Sequence, residues 1–287
     1  MTGRELRLSR VFPEGGSAVV VAMDHGQTFG PMEGLIDFTK AAEQLKEADA
    51  VLMTAQMIRF SGSLYQNRNS PAVIVRTNWN TIHCEPWEYQ ESNIVQSLSV
   101  ESAVAMGADI VLASLVLQTG SEAHDAENVS VFAKCVEETY RLGIPMIGEV
   151  FPVGGLRAHP DEFHDYIKKM CRIVCELGAD AIKTFYTGPR FPEVVRGVPI
   201  PVFALGAEKL EHEIQALELA ERAVHAIDHH AIEPGAFVHL VEVNDGFALA
   251  DDIALRVHNV GTIAIVEDAF DKIGGGQQIL EPLLILD

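Results

Sequence analysis

The sequence predicts an α/β protein built as a single (β/α)8 TIM barrel, and two observations carry that expectation. The first is a recurring unit: an amphipathic stretch that ends in Gly or Ala, often followed by Ala-Asp, and then a short apolar run. It appears as EADAVLM (47–53), MGADIVLA (106–113), LGIPMIGEV (142–150), LGADAIKTF (177–185) and GVPIPVFAL (197–205). A helix closed by glycine just past its end and followed by a short buried strand is the αβ half of a βαβ unit. The second is the count: eight β-like runs alternate with helix-like stretches, which favours a closed parallel barrel over a doubly wound open sheet.

Taken in order, the β-like runs are 18–23, 50–55, 72–77, 109–114, 145–151, 180–185, 201–205 and 237–243. Between them, 37–47, 99–106, 129–142, 160–177 and 208–226 carry apolar residues three and four apart, the helical period. In 160–177, Phe163, Ile167, Met170, Val174 and Leu177 fall on one face, as an outer-ring helix requires. Beyond residue 226 the pattern changes. The stretch 248–257 resembles a helix, 261–270 fits either a strand or a helix start, and GGGQQ reads as a loop. The run 237–243 is taken as the eighth strand. No low-complexity tract or linker interrupts the chain, so one domain is expected over 1–287, although 227–287 departs from the repeating unit.

A (β/α)8 barrel occupies about 250 residues as one unit, and the chain has 287. It is 48% hydrophobic and 22% charged, a globular balance. Its formal net charge of −20 excludes nucleic acid and anionic membranes as partners, because both would repel such a surface. The four cysteines, Cys84, Cys135, Cys171 and Cys175, form no CxxC pair. Cys171 and Cys175 are expected to stack as free thiols on one helix face, which fits a reducing compartment. The N-terminal MTGRELRLSRVFPEGG lacks an apolar core of signal-peptide length. The longest apolar runs are far shorter than the ~20 residues that cross a bilayer. These features together predict a cytoplasmic protein.

Active sites of such barrels collect at the carboxyl ends of the strands. Polar residues at those ends are Asp24 and His25, Gln56 and Arg59, Thr77 and Asn78, Ser114, Glu149, Lys183 and Tyr186, and then Gly206. Lys183 lies within the apolar run of ADAIKTFYTG. A lysine there is either a desolvated amine, nucleophilic toward carbonyls, or a structural ion-pair partner across the barrel mouth; position alone fits both equally. Glu149, in MIGEVFP, is either a buried carboxylate facing Lys183 or a satisfied structural acid. Asp24 taken alone reads better as a turn aspartate than as a catalytic one. Gly206 and Ala207 precede a helix and could present backbone N–H groups to phosphate, or form an ordinary turn. No histidine spacing suits a metal, and GxSxG is absent.

With these residues in place, the chain resembles the DeoC/LacD/FbaB-type class I aldolases, a group that includes an archaeal-type fructose-bisphosphate aldolase, an autoinducer-2 thiolase and an aminodideoxyheptulosonate synthase. The resemblance runs from about residue 8 to 226. It rests on AMDHG (22–26) with GP at 30–31, ADAVLM ending at Met53, EVFPVGG (149–155) and LGADAIKTFYTG (177–188); VPIPVFALGAEK (198–209) is similar to the family's glycine-rich turn after strand seven. It implies that Lys183 forms a Schiff base, that Asp24 positions or protonates substrate hydroxyls, and that Gly206, with Ala207 and His25, contributes to substrate binding. It implies no cofactor and no metal, and a homo-oligomeric assembly. Two departures stand out: Phe151 occupies the place of a proton-handling tyrosine, leaving Tyr186 and Glu149 as candidates for that role, and the GRN motif that ends the family's barrels is absent.

The leading functional expectation is a class I aldolase, or a related carbon–carbon lyase or transferase, acting on a small phosphorylated ketose. The alternatives are a non-catalytic barrel serving in binding or assembly, favoured by Phe151 and the missing GRN, and a metal-dependent barrel enzyme using Asp24, Glu149 and a histidine.

Overall fold

The computed structural model describes residues 2–12, 18–31, 35–43, 45–46, 48–83, 87, 89 and 91–205, together with the strands 237–242, 257–260 and 263–266. The strands are β1 (Val19–Ala22), β2 (Ala50–Thr54), β3 (Ala72–Arg76), β4 (Asn78–Asn80), β5 (Ile94–Gln96), β6 (Ile110–Leu115), β7 (Met146–Val150), β8 (Ala181–Phe185), β9 (Val202–Leu205), β10 (Phe237–Glu242), β11 (Val257–Val260) and β12 (Ile263–Val266). The helices are α1 (Gly3–Leu8), α2 (Gly26–Phe29), α3 (Phe38–Glu43), α4 (Ala55–Ile58), α5 (Val100–Ala105), α6 (Glu122–Leu142), α7 (Pro160–Glu176) and α8 (Phe191–Arg196).

Eight strands close a parallel barrel in the order β1-β2-β3-β6-β7-β8-β9-β10, with β10 returning to pair with β1. Each of the eight runs expected from the sequence supplies one barrel strand, and 237–243 supplies the one that closes the ring. The short antiparallel pairs β4–β5 and β11–β12 are additions; 261–270 contains β12. The expected helices 208–226 and 248–257 lie outside the described residues, apart from Val257 at the start of β11. No described helix is long and apolar enough to cross a membrane.

The recurring Ala-Asp has a physical explanation. Asp109 and Asp180 stand one residue before β6 and just before β8, where a strand's first N–H groups lack ladder partners. Asp109 Oδ2 accepts from Val73 N at 2.9 Å, and Asp180 Oδ2 accepts from Met146 N at 2.8 Å. Each therefore ties its strand to the neighbouring one. The same carboxylates receive Arg10 and Arg4, from the N-terminal segment and α1, while Arg7 donates to Gly143 O at 2.9 Å. Thus α1, with its Thr2–Glu5 capping box, is docked at the end of the barrel opposite the strand carboxyl ends.

The outer ring follows the periodicity read from the sequence. Helix α7 opens with Pro160 and has Asp161 and Glu162 in its first turn, both favourable at a helix N-terminus. Ile167, Met170 and Val174 are buried on its inner face, and Phe163 and Leu177 pack at the edge of the core. Helix α6 is capped by Ser121 and stopped by Gly143 in the left-handed region (φ 61°). Cys135, Cys171 and Cys175 are free thiols, the first two buried.

In β7, Ile147 lines the barrel interior while Gly148 faces outward under α7. A Cβ at Gly148 would stand 2.2 Å from Val174 Cγ1 and 3.2 Å from Phe132 Cζ. The glycine thus lets α7 lie close on the sheet. We expect Gly148→Ala to lose about 1–3 kcal/mol of stability in denaturant unfolding. Combining it with Val174→Ala, which removes the colliding methyl groups, should make the glycine substitution itself less costly than in the parent. Equal cost in both backgrounds would locate the strain elsewhere.

Candidate active site

Strand alternation sets what enters the barrel. A layer of Val20, Leu52, Ile74, Leu112, Ile147 and Phe203 lines the interior together with Lys183. This wall is apolar apart from the one amine. Above it the strand carboxyl ends contribute Asp24, Arg76, Ser114 and Glu149. Register makes neighbours of three of these residues: Ser114 stands opposite Glu149, and Glu149 opposite Lys183.

These side chains form one bonded network. Lys183 Nζ lies 2.9 Å from Glu149 Oε1. Arg76 grips the same carboxylate with both ends of its fork, Nη1 to Oε2 at 2.8 Å and Nη2 to Oε1 at 3.1 Å. Its Nε donates to Asp24 Oδ2, and Nη1 also reaches Ser114 Oγ at 2.8 Å. Ser114 Oγ donates in turn to Glu149 Oε2. Ser114 is itself fixed by a reciprocal pair with Asn78, whose side chain donates to Ser114 O at 2.8 Å and accepts from Ser114 N at 2.9 Å. The side chains of Asp24, Glu149, Lys183 and Arg76 are only 4%, 1%, 3% and 10% exposed.

Among the described residues, the buried carboxylates of Asp24 and Glu149 face Arg76 and Lys183. Burial alone would raise the Asp24 pKa, but Arg76 and then Lys183 reverse this and hold the carboxyl below its usual value, with His25 adding in the same direction and Glu149 opposing. The carboxylates likewise strengthen the hold of Arg76 on its proton, against the effect of burial.

The structure therefore brings together Asp24, Glu149 and Lys183. His25 is half-buried directly beside Asp24, at the start of α2. Tyr186, past the end of β8, sets its ring against Phe191 of α8 with centroids 5.4 Å apart. Phe151 meets Phe185 edge-on at 4.9 Å, and the Arg157 guanidinium stacks over both rings, 4.0 Å from the Phe185 centroid and 5.6 Å from the Phe151 centroid. Gly206 and Ala207 lie outside the described residues. Gln56 and Arg59 are exposed on and after α4. Among the described residues no three His, Cys, Asp or Glu side chains converge in a way that could hold a metal.

Arg76 is the residue that reading strand ends misses. Attention falls on Thr77 and Asn78, whose side chains turn out to bond backbone, while Arg76 ends the apolar run AVIVR. The signal was available: a cation inside a strand-sized apolar run is the feature that singles out Lys183.

Residues 18–234 match the family described as DeoC/LacD family aldolase. An uncharacterized aldolase of Saccharolobus solfataricus is 29% identical over 233 residues, covering 79% of this chain and 85% of that protein. The 3-hydroxy-5-phosphonooxypentane-2,4-dione thiolase of Escherichia coli is 31% identical over 225 residues, covering 77% and 72%. The fold also matches an archaeal fructose-1,6-bisphosphate aldolase with its catalytic lysine covalently bound to a carbinolamine intermediate. That likeness has a TM-score of 0.62 at 22% identity and covers 82% of this chain and 90% of the other. A closed parallel barrel, a match over most of its length and relatives at this level of identity lead to one conclusion: the chain belongs to the DeoC/LacD family of aldolases.

Proposed function

We propose that this aldolase works through a Schiff base between Lys183 and the carbonyl carbon of a small phosphorylated ketose. The observation that carries the reading is a buried amine inside a barrel mouth, bonded to one carboxylate and in the field of a second. The relatives support it: the Escherichia coli thiolase is named for a phosphonooxy-dione, and the archaeal aldolase was captured with its lysine joined to substrate.

In the cleavage direction the neutral amine of Lys183 forms a C–N bond to the carbonyl carbon, and the carbonyl oxygen takes up a proton. Loss of water from this carbinolamine gives the protonated imine. That cation accepts the electron pair of the adjacent carbon–carbon bond as it breaks, leaving an enamine on Lys183 and releasing an aldehyde whose former hydroxyl has given up its proton. Asp24, ionised and at the mouth, is placed to receive that proton, a role worth roughly 100- to 10,000-fold. Glu149 supports the amine and then the iminium. Tyr186 is a further candidate for moving protons, though its ring packs toward α8. His25 beside Asp24 is assigned to substrate binding, and Gly206 and Ala207 to the phosphate. The family resemblance also supports a homo-oligomer of single-domain subunits.

Borohydride reduction in the presence of a panel of ketose phosphates should leave a covalent adduct, found by peptide mass spectrometry at Lys183. Lys183→Met and Lys183→Arg should give none, since neither offers a neutral amine. Lys183→Met should remain folded by circular dichroism. Its stability cost should fall below the ~3–5 kcal/mol of an isolated broken buried pair, because Arg76 and Ser114 still hold Glu149. An adduct retained in Lys183→Met would end the proposal.

The lowered pKa of Asp24 has a stability consequence. A carboxyl whose folded pKa is depressed contributes stability that is fully present above the unfolded value of about 3.9 and is lost as pH falls through the folded value. Asp24→Asn should therefore be less stable than the parent at pH 7, and the gap should close as unfolding is measured below about pH 4. A gap independent of pH would mean that the charge of Asp24 contributes nothing.

A further inference from the structure

The two carboxylates of the site are engaged very differently. Glu149 accepts two donors on each oxygen: Oε1 from Arg76 Nη2 and Lys183 Nζ, Oε2 from Arg76 Nη1 and Ser114 Oγ. An ionised carboxylate offers about four lone-pair sites, so a proton could settle on Glu149 only by evicting a donor. Asp24 differs: Arg76 occupies its Oδ2 through Nε alone. Among the described residues the guanidinium of Arg76 touches both acids, and its planar fork imposes the asymmetry.

From this geometry we infer that Arg76 is a positioning residue that divides the work of the two acids, locking Glu149 as a fixed anion against Lys183 and leaving Asp24 as the carboxylate that exchanges protons with substrate. The inference rests on the Schiff-base reading for its catalytic meaning. Its electrostatic content stands apart from that reading. Arg76 competes with Lys183 for Glu149, so it weakens the grip of the carboxylate on the ammonium and makes the free amine accessible at lower pH. Among the described residues the groups that bear on this balance are Asp24 and His25 after β1, Arg76 at the end of β3, Ser114 on β6, Glu149 on β7 and Lys183 on β8.

The labelling arm of the test needs no substrate. Formaldehyde with cyanoborohydride methylates neutral amines, and peptide mass spectrometry reads the yield at Lys183 across a pH series. Arg76→Met should move the labelling midpoint to higher pH by about one unit, or roughly tenfold less labelling at neutral pH. Glu149→Gln should move it the opposite way. Asp24→Asn should leave the midpoint much closer to the parent than Glu149→Gln does, while turnover of a trapped ketose phosphate falls by at least about a hundredfold. Since Arg76→Met strands two buried carboxylates and could fail to fold, Arg76→Lys is the second variant. It keeps the positive charge but cannot fork, so its midpoint should stay near the parent while kcat drops about tenfold or more at little change in KM.

A midpoint unmoved in folded Arg76→Met, an Arg76→Lys enzyme with parental kcat, or an Asp24→Asn shift as large as that of Glu149→Gln would each overturn the inference. Failure of the Schiff-base reading shows differently, as a parent that labels at Lys183 yet forms no borohydride adduct with any ketose phosphate. The labelling shifts would still decide the electrostatic role of Arg76.

Discussion

Everything at the mouth of this barrel depends on burying the Glu149 carboxylate. A lone ionised carboxylate in a dry interior is costly enough that it would take up a proton instead. Among the described residues four donors answer that cost at Glu149, two from Arg76 and one each from Ser114 and Lys183. Each partner is in turn held by the scaffold. Asn78 fixes Ser114, Asp24 completes the coordination of Arg76, and strand register sets Lys183 beside Glu149. Removing Arg76 would strip donors from both carboxylates at once, the circumstance in which buried ion pairs are costly to break.

The network is possible because strand parity and helix packing agree. Glu149 can face inward only if Gly148 faces α7, and α7 lies close enough to cover the sheet only because that position carries no Cβ. The other end of the same strands has a different purpose. There Asp109 and Asp180 bind neighbouring strand N–H groups and the arginines of the N-terminal segment, fixing the barrel rather than offering chemistry. Acids at the amino ends stabilise, and acids at the carboxyl ends form the site, the division of labour general to this fold.

Preorganisation is the functional return. The donors to Glu149 are in place without any ligand, so the proposed Schiff-base step would need little reorganisation as charge moves between amine and iminium. Position in the sequence leaves Lys183 as either a desolvated amine or an ion-pair partner across the barrel mouth. A carboxylate 2.9 Å from Nζ stabilises an ammonium, so desolvation does not act alone. On the inference above, the state of Lys183 follows from competition between Arg76 and Lys183 for one anion. Of the two readings that position alone left open, the ion pair is present with Glu149, and the reactive amine is the one proposed above.

The barrel was legible in the sequence because its signals are local: glycine stops, Ala-Asp strand starts and apolar runs at regular intervals, with 237–243 identified even where the surrounding pattern is poor. The prominence of Asp24, Glu149 and Lys183 was legible too, since a charged residue inside or at the end of an apolar run is unusual by itself. Arg76 was visible by the same rule, but its importance was not. Its partners lie 38, 52 and 73 residues away in sequence, and nothing local says that one guanidinium will fork between the first strand and the seventh. Tyr186 was visible for its place just past a strand end, and the packing of its ring on Phe191 was not. Sequence determined which residues reach the mouth of the barrel, because alternation along a strand is a local property. Only closure of the sheet decided which of them share a proton environment, because that depends on side chains meeting across the barrel from strands remote in the chain.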